Sequence, residues 1–253
     1  MNAFPLESLV SDYDIVDLSH PLEEGIPFFP THSQFSHDIW ESYWAGDIAV
    51  AYQIKMNEHS GTHVDAPAHF IQDGHPQHVW IDAIDPTALM ARTVLIDVTS
   101  TEPGHEFGLS ALDGFETEHG PIRAGDLVLF RTGWDLKWQL GKRGEPFLSD
   151  WPGPSLELAR ALSARDVVAV GTDAIGMDTY GTSTYPVHYE LLGKGILILE
   201  NVANMSRLPS ICHVIAIPLR IVGGSGSPLR PLAFLPKVHG TGLPAVGQDT
   251  PAP

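Results

Sequence analysis

The sequence predicts an α/β fold built as a single mixed domain. Three observations carry that expectation. Short β-branched runs alternate with helical patterns. One of those runs is apolar on both faces, and no linker divides the chain. The 253 residues suit one sizeable domain better than two. Hydrophobic residues make up 43% and charged residues 18%, which is enough for a real core and too apolar for disorder. The expected domain runs over residues 1–239. Residues 240–253, rich in Gly and Pro and without periodicity, are expected to form a loose C-terminal tail.

Strands are expected at 14–18, 50–56, 93–98, 127–131, 167–171, 196–200 and 214–218, each bounded by turn residues. The run 93–98 (Thr-Val-Leu-Ile-Asp-Val) is nearly all apolar, as in a strand covered on both faces. The clearest helix is 155–165. Ser155 is its candidate N-cap, Pro154 precedes it, and Leu158, Ala161 and Leu162 share a face. Shorter helical patterns occur at 86–92, 110–118 and 187–192.

Charge and cysteine content narrow the function. With 14 basic and 31 acidic residues the net charge is −17. Such a surface repels phosphate backbones and anionic lipids, which argues against nucleic-acid and membrane partners. Cys212 is the single cysteine, so no intrachain disulfide can form and a cytoplasmic location is expected. The N-terminus shows no signal-peptide pattern, and no apolar run approaches the roughly 18 residues that span a bilayer.

The strongest motif is His59-Ser60-Gly61-Thr62-His63-Val64-Asp65-Ala66-Pro67-Ala68-His69. It concentrates three imidazoles and a carboxylate, the usual ligands of divalent transition ions, in one short stretch. In an extended chain His59, Gly61, His63, Asp65 and His69 have the same parity and face one side. In a helix His59 and His63 are i and i+4. Gly61 and Pro67 disfavour a long helix, so the run reads as a strand end passing into a turn. A polar loop whose histidines cap neighbouring elements is the alternative, and it accounts poorly for so dense a ligand set. The pattern is not the His-Glu-x-x-His of zinc proteases. Gly223-Gly224-Ser225-Gly226-Ser227 reads as a flexible loop and lacks the lysine and helix of a phosphate-binding loop.

The run His-x-Gly-Thr-His-x-Asp-x-Pro-x-His resembles the signature of the cyclase family of metal-dependent hydrolases, which includes isatin hydrolases and bacterial kynurenine formamidases. The resemblance extends to Asp17-Leu18-Ser19-His20-Pro21-Leu22, Gly171-Thr172-Asp173, Val187-His188, the segment from Gly195 to Val202, and the segment from Pro218 to Arg230. It implies a central β-barrel-like sheet core flanked by helices, of the swivelling β/β/α type, in a homodimer or homotetramer. It further implies that His59, His63 and Asp65 bind a divalent metal, Mn²⁺ or Zn²⁺. Where two ions are bound, Asp65 would bridge them and His188 with Glu200 would complete the second site. His69 matches the acid/base. Asp173, ending an apolar strand, is a candidate to support the ligands from behind or to cap a turn.

The implied chemistry is hydrolysis of a C–N bond in a small cyclic amide or aryl formamide, with an isatin-like lactam favoured. A metal with open positions lowers the pKa of bound water from about 15.7 towards about 7. His69 would move the proton. An arylformamidase acting on N-formylkynurenine, a lactone hydrolase and a non-hydrolytic cyclase or lyase are the alternatives, followed by a metal-binding protein without turnover. Phe28 and Phe29, held between Pro27 and Pro30, are candidate walls for an aryl substrate, as are Trp40, Trp44 and Trp80, and Ser225 is a candidate substrate contact. The segment 134–151, with Trp134, Trp138 and Trp151, resembles the isatin-hydrolase-like members more than the shorter formamidases.

Overall fold

The computed structural model describes residues 10–237. The expected tail at 240–253 lies outside them. In chain order the strands are β1 (Tyr13–Asp17), β2 (Ser36–Glu41), β3 (Ala51–Lys55), β4 (His63–Asp65), β5 (Met90–Asp97), β6 (Glu106–Phe107) and β7 (Leu127–Arg131). They continue as β8 (Gly153–Pro154), β9 (Ala169–Thr172), β10 (Leu197–Glu200), β11 (Ile211–Ile215), β12 (Gly226–Pro228) and β13 (Leu232–Pro236). Helices α1 (Leu109–His119), α2 (Leu156–Ser163) and α3 (Pro186–Leu192) fall between them.

Nine strands form one sheet in the order β1-β13-β11-β5-β7-β9-β10-β4-β12. Its centre, β5-β7-β9-β10, is parallel, and the flanks are antiparallel. The period of two sorts side chains onto two faces. Val94, Ile96, Val128, Phe130, Val170 and Ile198 join Leu112, Phe115, Leu158, Leu162 and Leu191 of the helices in one core. Leu127, Leu129, Leu197 and Leu199 face the other way, into a second core with Val16, Val64 and Val214 from the outer strands. Flank strands reach that inner core because the sheet curls into a half-barrel, with the helices outside it. Gly171 lies where the curl is tight: a Cβ there would stand 2.6 Å from Leu129 Cδ2.

Most expected elements are present. Ser155 caps α2 by accepting a hydrogen bond from the Leu158 N–H at 3.2 Å. The segment 86–92 is not a helix. It is a turn tied by Thr87 N–H to Asp85 Oδ1 at 2.8 Å, and it leads directly into β5. The strand expected at 214–218 lies three residues earlier, at β11, where Ile211–Ile215 pairs with β5. Nor is 223–227 simply a loop, because Gly226–Pro228 becomes β12, hydrogen-bonded along β4. Among the described residues no helix is long and apolar enough to cross a membrane.

Candidate metal centre

The antiparallel ladder between β4 and β10 sets Glu200 opposite His63 and Ile198 opposite Asp65. His63, Asp65 and Glu200 therefore emerge on the same sheet face, at its rim. His63 Nε2 lies 3.4 Å from Asp65 Oδ1 and 3.6 Å from Glu200 Oε2. The first turn of α3 adds His188, whose Nε2 is 3.2 Å from Glu200 Oε1 and 3.7 Å from Asp65 Oδ2. His59 reaches the same carboxylate, with Nδ1 2.6 Å from Asp65 Oδ1. Asp65 thus stands between two groups of ligand atoms, His63 with Glu200 and His59 with His69, each within 4.8 Å including Asp65.

Each ligand imidazole is oriented by a hydrogen bond on its far nitrogen. His63 Nδ1 donates to Gly61 O at 2.9 Å, an oxygen also held by Asn201 Nδ2 at 2.8 Å. Gly61 has φ +63°, the left-handed conformation that turns this carbonyl back towards the ring. His188 Nδ1 donates to Asp178 at 2.5 Å, and Asp178 also accepts the Val187 and His188 N–H groups at the start of α3. His59 Nε2 donates to Ser225 Oγ at 2.9 Å, and Ser225 passes the interaction on to Glu58 Oε2 at 2.9 Å. The His59 ring fits because residue 226 is glycine: a Cβ would stand 2.5 Å from His59 Cε1.

Electrostatics fit a cation. Asp65 and Glu200 are both buried. Burial opposes charge on Asp65, but His59 and its neighbours hold the carboxyl well below its usual range. Burial likewise opposes charge on His63 and His188, yet the surrounding carboxylates raise both imidazoles. Buried carboxylates that draw protons onto facing imidazoles are a site short of positive charge, which a divalent ion supplies. His69 differs. Burial pushes it down to about 4, so its ring is neutral at neutral pH, stacked on His59 with centroids 3.9 Å apart.

The cluster forms the floor of a cavity of about 470 Å³. Phe29, Phe70, Trp151, Tyr180 and Tyr185 are among its walls, with Ile175 and Leu148. Among the described residues, no lysine or arginine lines the cavity.

The family model described as putative cyclase matches residues 16–179. The chain belongs to the cyclase family. It is 29% identical over 251 residues to isatin hydrolase of Roseibium aggregatum, covering 90% of this chain and 94% of that protein. It is 30% identical over 216 residues to kynurenine formamidase of Bacillus mycoides, covering 85% and 94%. Among solved structures, isatin hydrolase A from Labrenzia aggregata bound to benzyl benzoate superposes with a TM-score of 0.84 at 32% identity, covering 92% of this chain and all of that one. An isatin hydrolase bound to the product analogue thioisatinate gives 0.83 at 27% identity, covering 92% and 96%.

Within this cyclase-family site the structure brings together His59, His63, Asp65, His69, His188 and Glu200. Phe29 lines the cavity, but Phe28 is not among its lining residues. Ser225 is not a cavity residue either; its hydroxyl is engaged by His59 and Glu58. Asp173 makes its hydrogen bonds to Thr132, Gly133 and Trp134, capping the short helical turn Trp134–Lys137 instead of backing a ligand. Trp40, Trp44 and Trp80 stay outside the cavity, whereas Trp151 and Leu148 from the 134–151 segment form part of it. Sequence reasoning missed Asp178 and Glu58. The only local trace of Asp178 is an acidic residue upstream of the Pro186 helix start, and Glu58 adjoins the histidine it helps to orient.

Proposed function

We propose that this chain is a metal-dependent hydrolase that opens the C–N bond of a small, neutral aryl amide, with a cyclic amide such as isatin the favoured substrate. The observation that carries this reading is the buried His/Asp/Glu cluster on the floor of an aromatic cavity, with neutral His69 at its edge. His59, His63, Asp65, His188 and Glu200 would hold one or two divalent ions, Mn²⁺ or Zn²⁺, with Asp65 shared. When bound, such an ion polarises a carbonyl and acidifies water.

His69 accepts the proton of the attacking water and returns it to the departing nitrogen, a contribution of about 10² to 10⁴ in rate. Phe29, Phe70 and Trp151 stack on a planar ring and exclude bulk water. Asp178, Gly61 O and Ser225 keep the ligand rings in place. The relatives named isatin hydrolase, including the structure holding thioisatinate, support this assignment. The described part of the cavity wall favours it over the arylformamidase reading, because N-formylkynurenine carries an amino-acid carboxylate for which no lysine or arginine stands among the described lining residues. The kynurenine formamidases among the relatives keep that second reading in the test. We place the enzyme in the cytoplasm, acting on a small-molecule carbonyl substrate.

The test is steady-state hydrolysis of isatin, N-formylkynurenine and an aryl lactone by chelator-stripped protein reloaded with Zn²⁺ or Mn²⁺. Turnover of isatin that disappears on chelation supports the proposal. Turnover of N-formylkynurenine alone reassigns it to the formamidase reading. A product without solvent oxygen moves it to the cyclase or lyase class.

A further inference from the structure

Four rings follow one another from the aromatic wall of the cavity to the proton-transfer histidine. The centroids of Phe29 and His32 are 5.4 Å apart, those of His32 and His59 5.7 Å, and those of His59 and His69 3.9 Å. All four residues line the cavity. His32 is the one to which the proposed chemistry gives no task. It belongs to neither group of ligand atoms around Asp65. The backbone fixes its place: the His32 N–H donates to Phe29 O at 2.8 Å, closing a turn in which Pro30 pre-sets φ at the second position.

The His32 ring offers one nitrogen to the cavity. Nδ1 is buried and has no hydrogen-bond partner among the described residues. Nε2 has none among them either, but it is not closed off by protein, so it is the nitrogen that a cavity occupant reaches. Buried acceptors are left orphaned more readily than buried donors, so in the neutral ring the proton belongs on Nε2. In the imidazolium Nε2 carries a proton as well. In either state it is a hydrogen-bond donor beside the space between the aryl wall and the ligand cluster.

We infer that His32 selects substrates with a keto oxygen next to the scissile carbonyl, by donating its Nε2 hydrogen to that oxygen. Under the hydrolase reading above, on which this assignment rests, the aryl ring lies on Phe29 and the scissile carbonyl over the ligand cluster. The atom joining the two then faces His32. In a ring-closed aryl amide that atom is either the amide nitrogen or the carbon on the other side of the carbonyl. The nitrogen belongs beside His69, which returns a proton to it. The carbon side is left for His32, and a donor there is matched by an oxygen, not by a methylene. A site built to hydrogen-bond one substrate group rejects analogues that lack it, because its own polar group is then left unpaired. An α-oxo amide such as isatin satisfies His32. A formamide, with a hydrogen on that side, does not.

The test is calorimetric binding of indane-1,2-dione and indan-2-one to the metal-loaded protein. The two differ only in the keto group joined to the aryl ring, and neither has a C–N bond to break. The wild type is expected to bind the dione at least about 10-fold more tightly, the effect of one satisfied hydrogen bond. His32→Phe keeps a ring between Phe29 and His59 and should bring the two ligands within about 2-fold, whereas His32→Gln keeps a donor and should retain most of the preference. Chelation of the metal by the dione would survive in His32→Phe, so the variant separates the two effects. At unchanged metal content, kcat/KM for isatin should fall about 10-fold in His32→Phe. A wild type that does not distinguish the two ketones overturns the inference, as does a His32→Phe protein that keeps the preference or keeps full kcat/KM for isatin. If His32→Phe does not fold, His32→Leu takes its place in both measurements. A wild type that prefers the dione through His32 yet leaves isatin intact overturns the hydrolase reading and supports the His32 contact.

Discussion

His63 and Glu200 face each other across the β4–β10 ladder, with Nε2 3.6 Å from Oε2, although 137 positions separate them in sequence. Asp65, two residues along the same strand, completes a three-ligand face that the sheet register builds. His63→Ala should therefore lose metal, with affinity lowered at least about 100-fold, and Glu200→Gln should weaken it by removing a buried charge. Metal content after dialysis against a weak chelator checks both.

The Glu58–Ser225–His59 chain predicts a purely positional effect. Ser225→Ala and Glu58→Gln should each weaken metal binding by about 10- to 100-fold while the saturated protein keeps most of its turnover. Calorimetric metal titration beside kcat at saturating metal separates the two quantities. A loss of kcat with unchanged metal affinity would return Ser225 to the role of substrate contact.

Gly226→Ala tests the packing beneath His59. The added methyl would meet His59 Cε1 at 2.5 Å and Val64 O at 2.7 Å, and backbone cannot retreat cheaply. Metal affinity should fall about as far as in Ser225→Ala, and the melting temperature should drop as β12 is forced from β4.

His20 predicts an acid-side loss of stability. It stacks on Trp138 at 4.0 Å, its Nε2 is buried without a partner, and burial pushes its pKa down to about 4 from 6.5. Between those values the unfolded chain binds the proton and the folded chain does not, so stability falls as pH drops from 6.5 towards 4. The loss is on the order of 3 kcal/mol. Urea midpoints across that range should show it, and His20→Phe, which keeps a ring on Trp138, should flatten that part of the profile.

Cys212 predicts chemical silence. It is buried in the inner core and burial pushes its thiol up to about 11, so thiol reagents at pH 8 should react only after unfolding.

What was legible in the sequence divides by range. The central strands could be read because burial on both sheet faces writes unbroken apolar runs such as 93–98. The ligand run could be read because its spacing is local. His188 and Glu200 are named as ligands through family resemblance: nothing near Pro186 marks His188, Glu200 shows only a carboxylate ending an apolar strand, and it takes the β4–β10 ladder to join Glu200 to His63 and the start of α3 to bring in His188. The Glu58–Ser225 contact spans 167 residues, and the Gly-rich composition around Ser225 reads as loop, which hid β12. Asp173 looked like Glu200, a carboxylate ending an apolar strand. Its neighbours in space are the free N–H groups of Thr132, Gly133 and Trp134, so it became a cap.

The most direct measurement is metal content and turnover of His69→Ala beside wild type, both loaded with the same ion and given the same hydrolysed substrate. Stoichiometric metal with turnover reduced by about 10² to 10⁴ is the expected result. Because His69 also lies within ligand distance of His59 and Asp65, loss of metal would make it a ligand instead, and full turnover would remove it from the chemistry altogether.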